Sequence, residues 1–422
     1  MIRLESIEDL DLARHIRPGA GIVFGQATGE PLSLTEQLVR QRAAFRGSSV
    51  FLGANFSSTF QPEHADCLRL TGLGGIGSLR KLVKAGSLDP IPCHISSIPR
   101  LIRAGLIRCD VALVLVSPAN ARGEHSFGLI NDYVRAAIAS ASVVIAEINA
   151  QVPWTPCDQP LRSDEITVGV HTDRPLVELP AAPFGDLERR IADHLRDLIP
   201  DRATLQVGIG AVPEAIVAML HDRRDLGIHS GMIGDSAADL MARGVVTNAF
   251  KEVDPGITVT GSLIGTSRLY RFADGNTALR LCTADYTHAG SALGRLKRLV
   301  SINSALEVDL TGQVNAEAVG ADYVGAVGGQ VDFVRAASLS EGGASIVALP
   351  ATGRAGASRI VARLGGPVTT PRSDVDVVAT EFGVARLRGR SLRERARALV
   401  AIAAPEHREH LERAAHAQLG GS

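Results

Sequence analysis

The sequence predicts an α/β fold with two domains, each built on a mostly parallel sheet flanked by helices. Two observations support this prediction. Short runs rich in β-branched residues alternate with helical patterns, and a proline-rich segment at 151–185 interrupts the alternation. Consecutive parallel strands need long crossover connections, which are usually helices, so the alternation favours parallel sheets. The length of 422 residues also suggests at least two domains.

In the first half, short apolar runs without polar alternation are typical of parallel strands that are buried on both faces. The predicted strands lie at 21–25, 49–56, 111–118 and 143–149. The predicted helices lie between these strands, at 32–45, 96–107 and 131–141.

The second half repeats the alternation after the proline-rich segment, so we place the boundary near residue 185, giving domains at 1–185 and 186–422. A helix at 185–199 precedes predicted strands at 204–210, 256–265, 299–310 and 345–350, with a last strand and turn at 375–387. The C-terminal segment is helical and broken at Pro405. Each half opens with a strand that ends in glycines, which hints at an internal duplication.

Composition and charge narrow the class of protein. The net charge is −1 and the pI is about 6.9, which argues against nucleic acid or an anionic membrane as partner. The N-terminus lacks the apolar core of a signal peptide, and no 18-residue window is apolar throughout. The five cysteines are scattered without a CxxC pair. We therefore expect a cytoplasmic protein with reduced thiols and no metal site.

Two glycine-rich loops are candidate binding sites, because glycine lets a backbone approach a ligand closely. In LQVGIGAVPEAI (205–216), a strand runs through a glycine turn into a helix, whose N-terminus can bind an anion or a developing oxyanion. An ordinary tight turn is the alternative for both this loop and GAVGGQVDF (325–333). The candidate binding residues of the two loops are Gly208, Gly210, Pro213, Gly328, Gly329, Gln330 and Asp332.

The carboxylates and histidines are weaker candidates for catalytic residues than the glycine loops are for binding sites. Glu307 and Asp309 are two residues apart, so on a strand they face the same side and could act as acid and base, but a hydrogen-bonded turn explains them equally well. Glu381 lies beside a glycine turn among arginines, a pattern that also fits a solvated ion-pair cluster. Isolated histidines such as His94 and His125 are more often structural than catalytic.

Many motifs, taken in order, resemble those of one family, the acetyl-CoA hydrolase / 4-hydroxybutyrate CoA-transferase family, over nearly the whole chain. The motifs that carry the resemblance include FGQATGEP (24–31), HISSIPRLI (94–102), VALVLVSPANARGEHSFGLINDY (111–133), LQVGIGAVPEAI (205–216), INSALEVDLTGQV (302–314), GGQVDF (328–333) and VTTPRSDVDVVATEFGVARLRGRS (368–391). So many ordered matches are specific.

The resemblance implies a class I CoA-transferase fold with two related α/β domains and the active site between them. In this family a glutamate attacks the acyl-CoA thioester to form an anhydride, and CoA then converts the anhydride into a glutamyl-CoA thioester. An acceptor carboxylate reverses these steps, so the kinetics are ping-pong. The resemblance implies that the glycine loops bind CoA, which is a substrate, and no other cofactor is expected.

The sequence departs from the family at the catalytic glutamate. The segment that carries it has the form GIH[ST]EM, whereas residues 227–232 read GIHSGM, so Gly231 takes the position of the nucleophile. His229 and Ser230 flank this position and are candidate catalytic residues, although family members that have the glutamate also have them. Glu381 matches the glutamate of the family's TE[YF]G motif and is a candidate base or ligand-orienting residue. Glu307 is the other possible substitute nucleophile.

We expect an acyl-CoA-processing enzyme that cleaves or transfers the acyl group without a glutamyl-CoA intermediate, with water, a carboxylate or another small nucleophile as acceptor. Two alternatives stay open: a true CoA-transferase that uses another residue, and a non-catalytic acyl-CoA binder or complex subunit. As for the family, we expect a homo-oligomer.

Overall fold

The computed structural model of the protein describes residues 1–420 and contains two large sheets of eight strands each. The strands of the first half are β1 (Ile2–Leu4), β2 (Gly21–Phe24), β3 (Ser49–Leu52), β4 (Arg69–Gly72), β5 (Leu88–Pro90), β6 (Val111–Val116), β7 (Glu124–His125), β8 (Val143–Asn149), β9 (Leu161–Arg162) and β10 (Val168–Thr172). Its helices are α1 (Leu32–Arg40), α2 (Leu79–Lys84), α3 (Ile98–Arg103) and α4 (Val134–Ser140).

The first sheet has the order β1-β10-β8-β6-β2-β3-β4-β5, and every pair of neighbours is parallel. Its central strand β6 is buried along its whole length and consists of valine, alanine and leucine. Such a strand has no polar face to offer to water, so helices cover both sides of the sheet. β7 and β9 form a separate antiparallel ribbon.

The second half contains thirteen strands and nine helices among the described residues. The strands are β11 (Thr204–Val207), β12 (Gly227–Ile233), β13 (Thr258–Leu263), β14 (Leu279–Leu281), β15 (Leu299–Ser304), β16 (Glu307–Asp309), β17 (Val314–Asn315), β18 (Ala318–Val319), β19 (Asp322–Tyr323), β20 (Ala344–Ala348), β21 (Ile360–Val361), β22 (Val377–Thr380) and β23 (Gly383–Arg386). The helices are α5 (Asp186–Leu195), α6 (Ala211–Ala218), α7 (Asp235–Ala242), α8 (Ser267–Ala273), α9 (Ala284–Thr287), α10 (Gly290–Leu293), α11 (Gln330–Leu339), α12 (Leu392–Ala401) and α13 (Pro405–Leu419).

The second large sheet has the order β14-β13-β12-β11-β15-β20-β22-β23 and is parallel except for the final hairpin of β22 and β23. Two local signals delimit the C-terminal helices. Ser391 caps α12 and forms a capping box with Glu394, and Pro405 occupies the first turn of α13, where its missing N–H costs nothing. No helix among residues 1–420 combines the length and the hydropathy that a membrane crossing requires.

The predicted α/β class with mostly parallel sheets is confirmed, and each predicted strand overlaps an observed one. One boundary is wrong. The segment 299–310 is not a single strand, because it leaves the large sheet after Ser304 and re-enters a small three-stranded sheet as β16. The glycine-containing strand β12 was not predicted at all. The domain boundary near residue 185 stays a prediction, and it falls between β10 and β11.

The two halves pack against each other through a shared core and a line of backbone hydrogen bonds. Leu263 N donates to Leu129 O over 2.8 Å, and Asn131 N donates to Gly261 O over 3.0 Å, so the end of β13 is fastened to the segment before α4. On the other side of the junction, Ile95 N donates to Gly328 O over 3.0 Å. These contacts fix the relative position of the loops that surround the cavity described next.

Candidate active site

A cavity of about 470 Å³ lies between the two halves and is lined by residues of both. The carboxyl ends of β2, β3 and β4 face those of β11, β12 and β15 across it, which is where ligands bind in open parallel sheets. A second cavity of about 520 Å³ is lined only by residues of the first half. Because the junction cavity collects several of the predicted site residues, it is the candidate active site.

The two glycine loops contribute to the cavity to different degrees. Gly208 lines it directly after β11, whereas Gly210 and Pro213 lie just outside, at the start of α6. Gly210 has a φ of +127°, a conformation that side chains rarely adopt, which explains a glycine here. The predicted loop therefore reaches the cavity through its first glycine.

The second loop meets the cavity at the start of α11. Gly328, Gly329 and Gln330 all line it, as predicted. Asp332 does not line it, because its Oδ1 accepts a hydrogen bond from Ser96 Oγ over 2.9 Å. Its Oδ2 is buried without a hydrogen-bond partner among residues 1–420, and burial raises the pKa of this carboxyl.

Gly231 lines the cavity from β12 together with Met232, but His229 and Ser230 do not. His229 is buried and its Nε2 donates to Thr287 O over 3.1 Å; burial lowers its pKa to about 4. Ser230 Oγ lies 3.3 Å from Val207 N, from which it accepts a hydrogen bond. Of this motif, the structure therefore brings Gly231 and Met232 to the cavity, and neither of the candidate catalytic side chains, His229 and Ser230.

The two glutamates that could replace the nucleophile lie elsewhere. Glu381 is only 8% exposed, and its Oε2 accepts a hydrogen bond from Ala351 N over 2.8 Å. Glu307 Oε1 accepts from Gly365 N over 2.8 Å and from Asn315 Nδ2 over 2.9 Å. Neither residue lines the cavity. Both carboxylates bind backbone N–H groups, which is the pattern of a structural role.

The expected pairing of Glu307 with Asp309 as acid and base does not occur. Asp309 Oδ1 accepts from the N–H groups of Thr311 and Gln313 over 2.9 and 3.0 Å, so it closes the turn after β16. The alternative of a hydrogen-bonded turn is the correct one.

Asp132 is a cavity residue that sequence reasoning missed. It is the single carboxylate that lines the cavity among the described residues. Its Oδ2 accepts from Gln26 Nε2 over 2.6 Å, and Gln26 is oriented by Ala54 N, which donates to Gln26 Oε1 over 2.8 Å. Complete burial raises the pKa of Asp132 to about 6. No spacing pattern marked Asp132, because its partners come from distant segments.

His288 is the second missed residue. It follows α9, lines the cavity and lies against Gly231. Burial and the neighbouring His229 lower its pKa to about 3, so the ring is neutral at physiological pH. Arg80, which is exposed at the rim, is the cation that lines the cavity within the described part of the chain.

The arrangement suits an electrophilic substrate whose reacting part is uncharged. The walls are mainly apolar, glycine loops expose backbone, one cation lies at the mouth, and a carboxylate and a neutral imidazole lie inside. No group of three or more histidine, cysteine, aspartate or glutamate side chains that could hold a metal occurs within residues 1–420.

Comparison with known proteins points to one family. Residues 4–173 match the model of the acetyl-CoA hydrolase/transferase N-terminal domain, and residues 265–415 match that of the C-terminal domain. The 4-hydroxybutyrate coenzyme A transferase of Clostridium kluyveri is 40% identical over 398 residues, which cover 92% of each chain.

Two solved structures agree over nearly the full length. RipA from Yersinia pestis superposes with a TM-score of 0.92 at 31% identity, covering 97% of this chain and 96% of that one. The 4-hydroxybutyrate CoA-transferase of Porphyromonas gingivalis superposes with a TM-score of 0.82 at 34% identity, covering 98% and 96%. The chain therefore belongs to the acetyl-CoA hydrolase/transferase family and is an acyl-CoA-processing enzyme.

Proposed function

We propose that this enzyme cleaves a CoA thioester and passes the acyl group to water or another small acceptor without a glutamyl-CoA intermediate. The composition of the cavity carries the proposal. Among residues 1–420 no glutamate lines it, and Gly231 occupies the position of the nucleophile that the resemblance implies. Glycine has no nucleophilic atom. The carboxylates of Glu307 and Glu381 are already engaged by backbone N–H groups.

The glycine loops keep a role in this reaction. Gly208, Gly328 and Gly329 would let the acyl-CoA approach the backbone, with Gln330 beside it. The first N–H groups of α11 have no partner within the helix, so they can donate to the oxygen on which charge develops during attack. Such donors are typically worth about 3–4 kcal/mol of transition-state stabilisation.

The remaining predicted residues would support these loops. Gly210 and Pro213 shape the turn into α6, and Asp332 ties the start of α11 to Ser96 of the first half. We propose that His229 and Ser230 hold β12 in place and that Glu381 orients the turn at Ala351. Their contribution is positioning, since none of these side chains reaches the cavity.

A second candidate function is true CoA transfer with Asp132 as the nucleophile. The observation that favours it is that Asp132 is a carboxylate inside the cavity, as the ping-pong mechanism requires. Two contacts weigh against it: Asp132 Oδ2 is held by Gln26, and Asp132 Oδ1 accepts from Tyr133 N. A nucleophile held at both oxygens must break a hydrogen bond before it attacks.

Thiol release separates the two candidates. Purified enzyme is incubated with acetyl-, butyryl-, succinyl- and hydroxybutyryl-CoA, with and without acetate, while free thiol and product acyl-CoA are measured. We expect free thiol from at least one ester without any requirement for acetate. Formation of acetyl-CoA from another ester plus acetate, with no free thiol, would establish transfer instead. Buffer without enzyme corrects for spontaneous hydrolysis.

A further inference from the structure

The ring of His288 occupies the space that a side chain at position 231 would need. A Cβ atom built on Gly231 would lie 2.9 Å from both Cε1 and Nε2 of His288. A Cβ atom on Gly329 would lie 2.5 Å from Nε2. The ring thus lies against two glycines, and neither position accepts a larger residue unless the ring moves.

The surroundings of the ring hold it in one orientation. Phe333 of α11 packs against it, with ring centroids 4.8 Å apart and an interplanar angle of 60°. Nδ1 lies 2.8 Å from Thr287 Oγ1. Because His288 is only 6% exposed and contacts residues of β12 and α11, it cannot swing into solvent without opening the junction of these elements.

The hydrogen-bond pattern determines which nitrogen is free. The Thr287 hydroxyl donates its single proton to Thr283 O over 3.3 Å, so its oxygen accepts from His288 Nδ1–H. Nε2 is then the unprotonated nitrogen, and it has no hydrogen-bond partner among residues 1–420. Because His288 lines the cavity, a molecule bound there can donate a hydrogen bond to this lone pair.

We propose that His288 is the catalytic base of this enzyme and acts from the place that the resemblance assigns to the glutamate side chain. The inference rests on the proposed function. A water molecule hydrogen-bonded to His288 Nε2 attacks the thioester carbon, and its proton passes to Nε2 as the carbon–oxygen bond forms. The carbon–sulfur bond then breaks, and the proton moves from Nε2 to the departing sulfur. The products are the carboxylic acid and CoA thiol, so atoms and charge balance.

The neutral state of the ring is compatible with this role. Burial disfavours the imidazolium, but attack creates negative charge on the thioester oxygen close to the ring. That charge stabilises the protonated ring only while the tetrahedral intermediate exists. The basicity of His288 therefore rises in the transition state, and the buried imidazolium always has a negative charge beside it.

The test is thiol release by His288→Gln and His288→Ala, with His221→Gln as the matched control. His221 is exposed on the short helix after α6 and lies outside the cavity. General-base catalysis contributes about 10²–10⁴-fold, so both His288 variants should lose at least about 100-fold in kcat, with KM for the acyl-CoA changed much less. His221→Gln should match the parent enzyme.

Restoration of activity by added imidazole distinguishes a catalytic role of the His288 ring from a structural one. His288→Ala leaves a space of imidazole size, so added imidazole should restore thiol release in that variant and leave His288→Gln unchanged. Equal kcat in the parent and both variants would overturn the proposal, as would a loss of kcat in folded His288→Ala that imidazole does not reverse. If the parent enzyme releases no thiol from any ester, the proposed function fails instead, which is a separate outcome.

Discussion

The contact between Gly231 and His288 predicts that adding one methyl group at position 231 has opposite effects in two backgrounds. In the parent enzyme, Gly231→Ala places a Cβ atom 2.9 Å from two ring atoms of His288. The ring has little room to move, because Gly329 also lies against it and Phe333 packs on it. Overpacking of this kind typically costs about 1–3 kcal/mol of folding free energy.

In the His288→Ala background the ring is gone and the same substitution should stabilise the enzyme. Gly231 is not in the left-handed backbone region, so alanine is compatible with its conformation. A compatible Gly→Ala change stabilises by about 0.4–1 kcal/mol, because the unfolded chain loses conformational freedom. The cost in one background and the gain in the other add, so the two substitutions should be coupled by about 1.4–4 kcal/mol, as befits residues in contact.

The assay is the thermal unfolding midpoint of the parent enzyme, the two single variants Gly231→Ala and His288→Ala, and the double variant. All four are measured at one protein concentration. We expect Gly231→Ala to lower the midpoint in the parent and to raise it in His288→Ala. Gly290→Ala is the matched control, since a Cβ atom there meets nothing within 4 Å, and it should not lower the midpoint in either background. Equal lowering by Gly231→Ala in both backgrounds would refute the steric argument.

Three further predictions concern the cavity. Burial raises the pKa of Asp132 from 3.8 to about 6, so ionised Asp132 destabilises the native state once the pH rises through this range. The destabilisation is about 3 kcal/mol when Asp132 is ionised in both the native and the unfolded state. Unfolding midpoints should therefore show that Asp132→Asn is more stable than the parent at neutral pH but not below pH 3.8. The pKa of His288 is lowered from 6.5 to about 3, so kcat/KM for thiol release should show no inflection near pH 6.5. The charged or titratable groups near His288 are His229 beside it and Asp132 and Arg80, which line the same cavity. Loss of activity as the pH falls through about 6 would instead indicate Asp132 as the nucleophile. Arg80→Gln should raise KM for the acyl-CoA about five- to tenfold with kcat unchanged, if the rim cation binds a CoA phosphate.

Much of the fold was predictable because buried parallel strands leave a strong signal. Strands such as β6 consist of uninterrupted apolar residues, and periodicity alone identifies them. The sequence did not predict β12, because glycine at positions 227 and 231 weakens strand propensity. This segment is a strand because it pairs with β11 and β13. The predicted strand at 299–310 divides after Ser304, because its last residues pair with β17 and β21 and not with the large sheet.

The candidate site was predictable only where the backbone itself forms it. Gly208, Gly328 and Gly329 line the cavity as their sequence pattern indicated. Asp132 was missed because its partner Gln26 comes from a distant segment of the first half, and His288 was missed because it meets Gly231 only through the packing of α9 on β12. The resemblance places the family's glutamate at Gly231, and the tertiary structure places His288 against that residue.

The most direct test of the account is the mass of the intact enzyme during turnover. Acyl-CoA is mixed with excess enzyme, the reaction is stopped with acid, and the protein is analysed by mass spectrometry before and after treatment with hydroxylamine. We predict a chain of unchanged mass together with released CoA thiol, because neither CoA nor the acyl group becomes attached to the protein. A chain heavier by CoA less one water, converted by hydroxylamine into a hydroxamate with release of CoA thiol and absent in Asp132→Asn, would contradict the account and establish a carboxylate nucleophile.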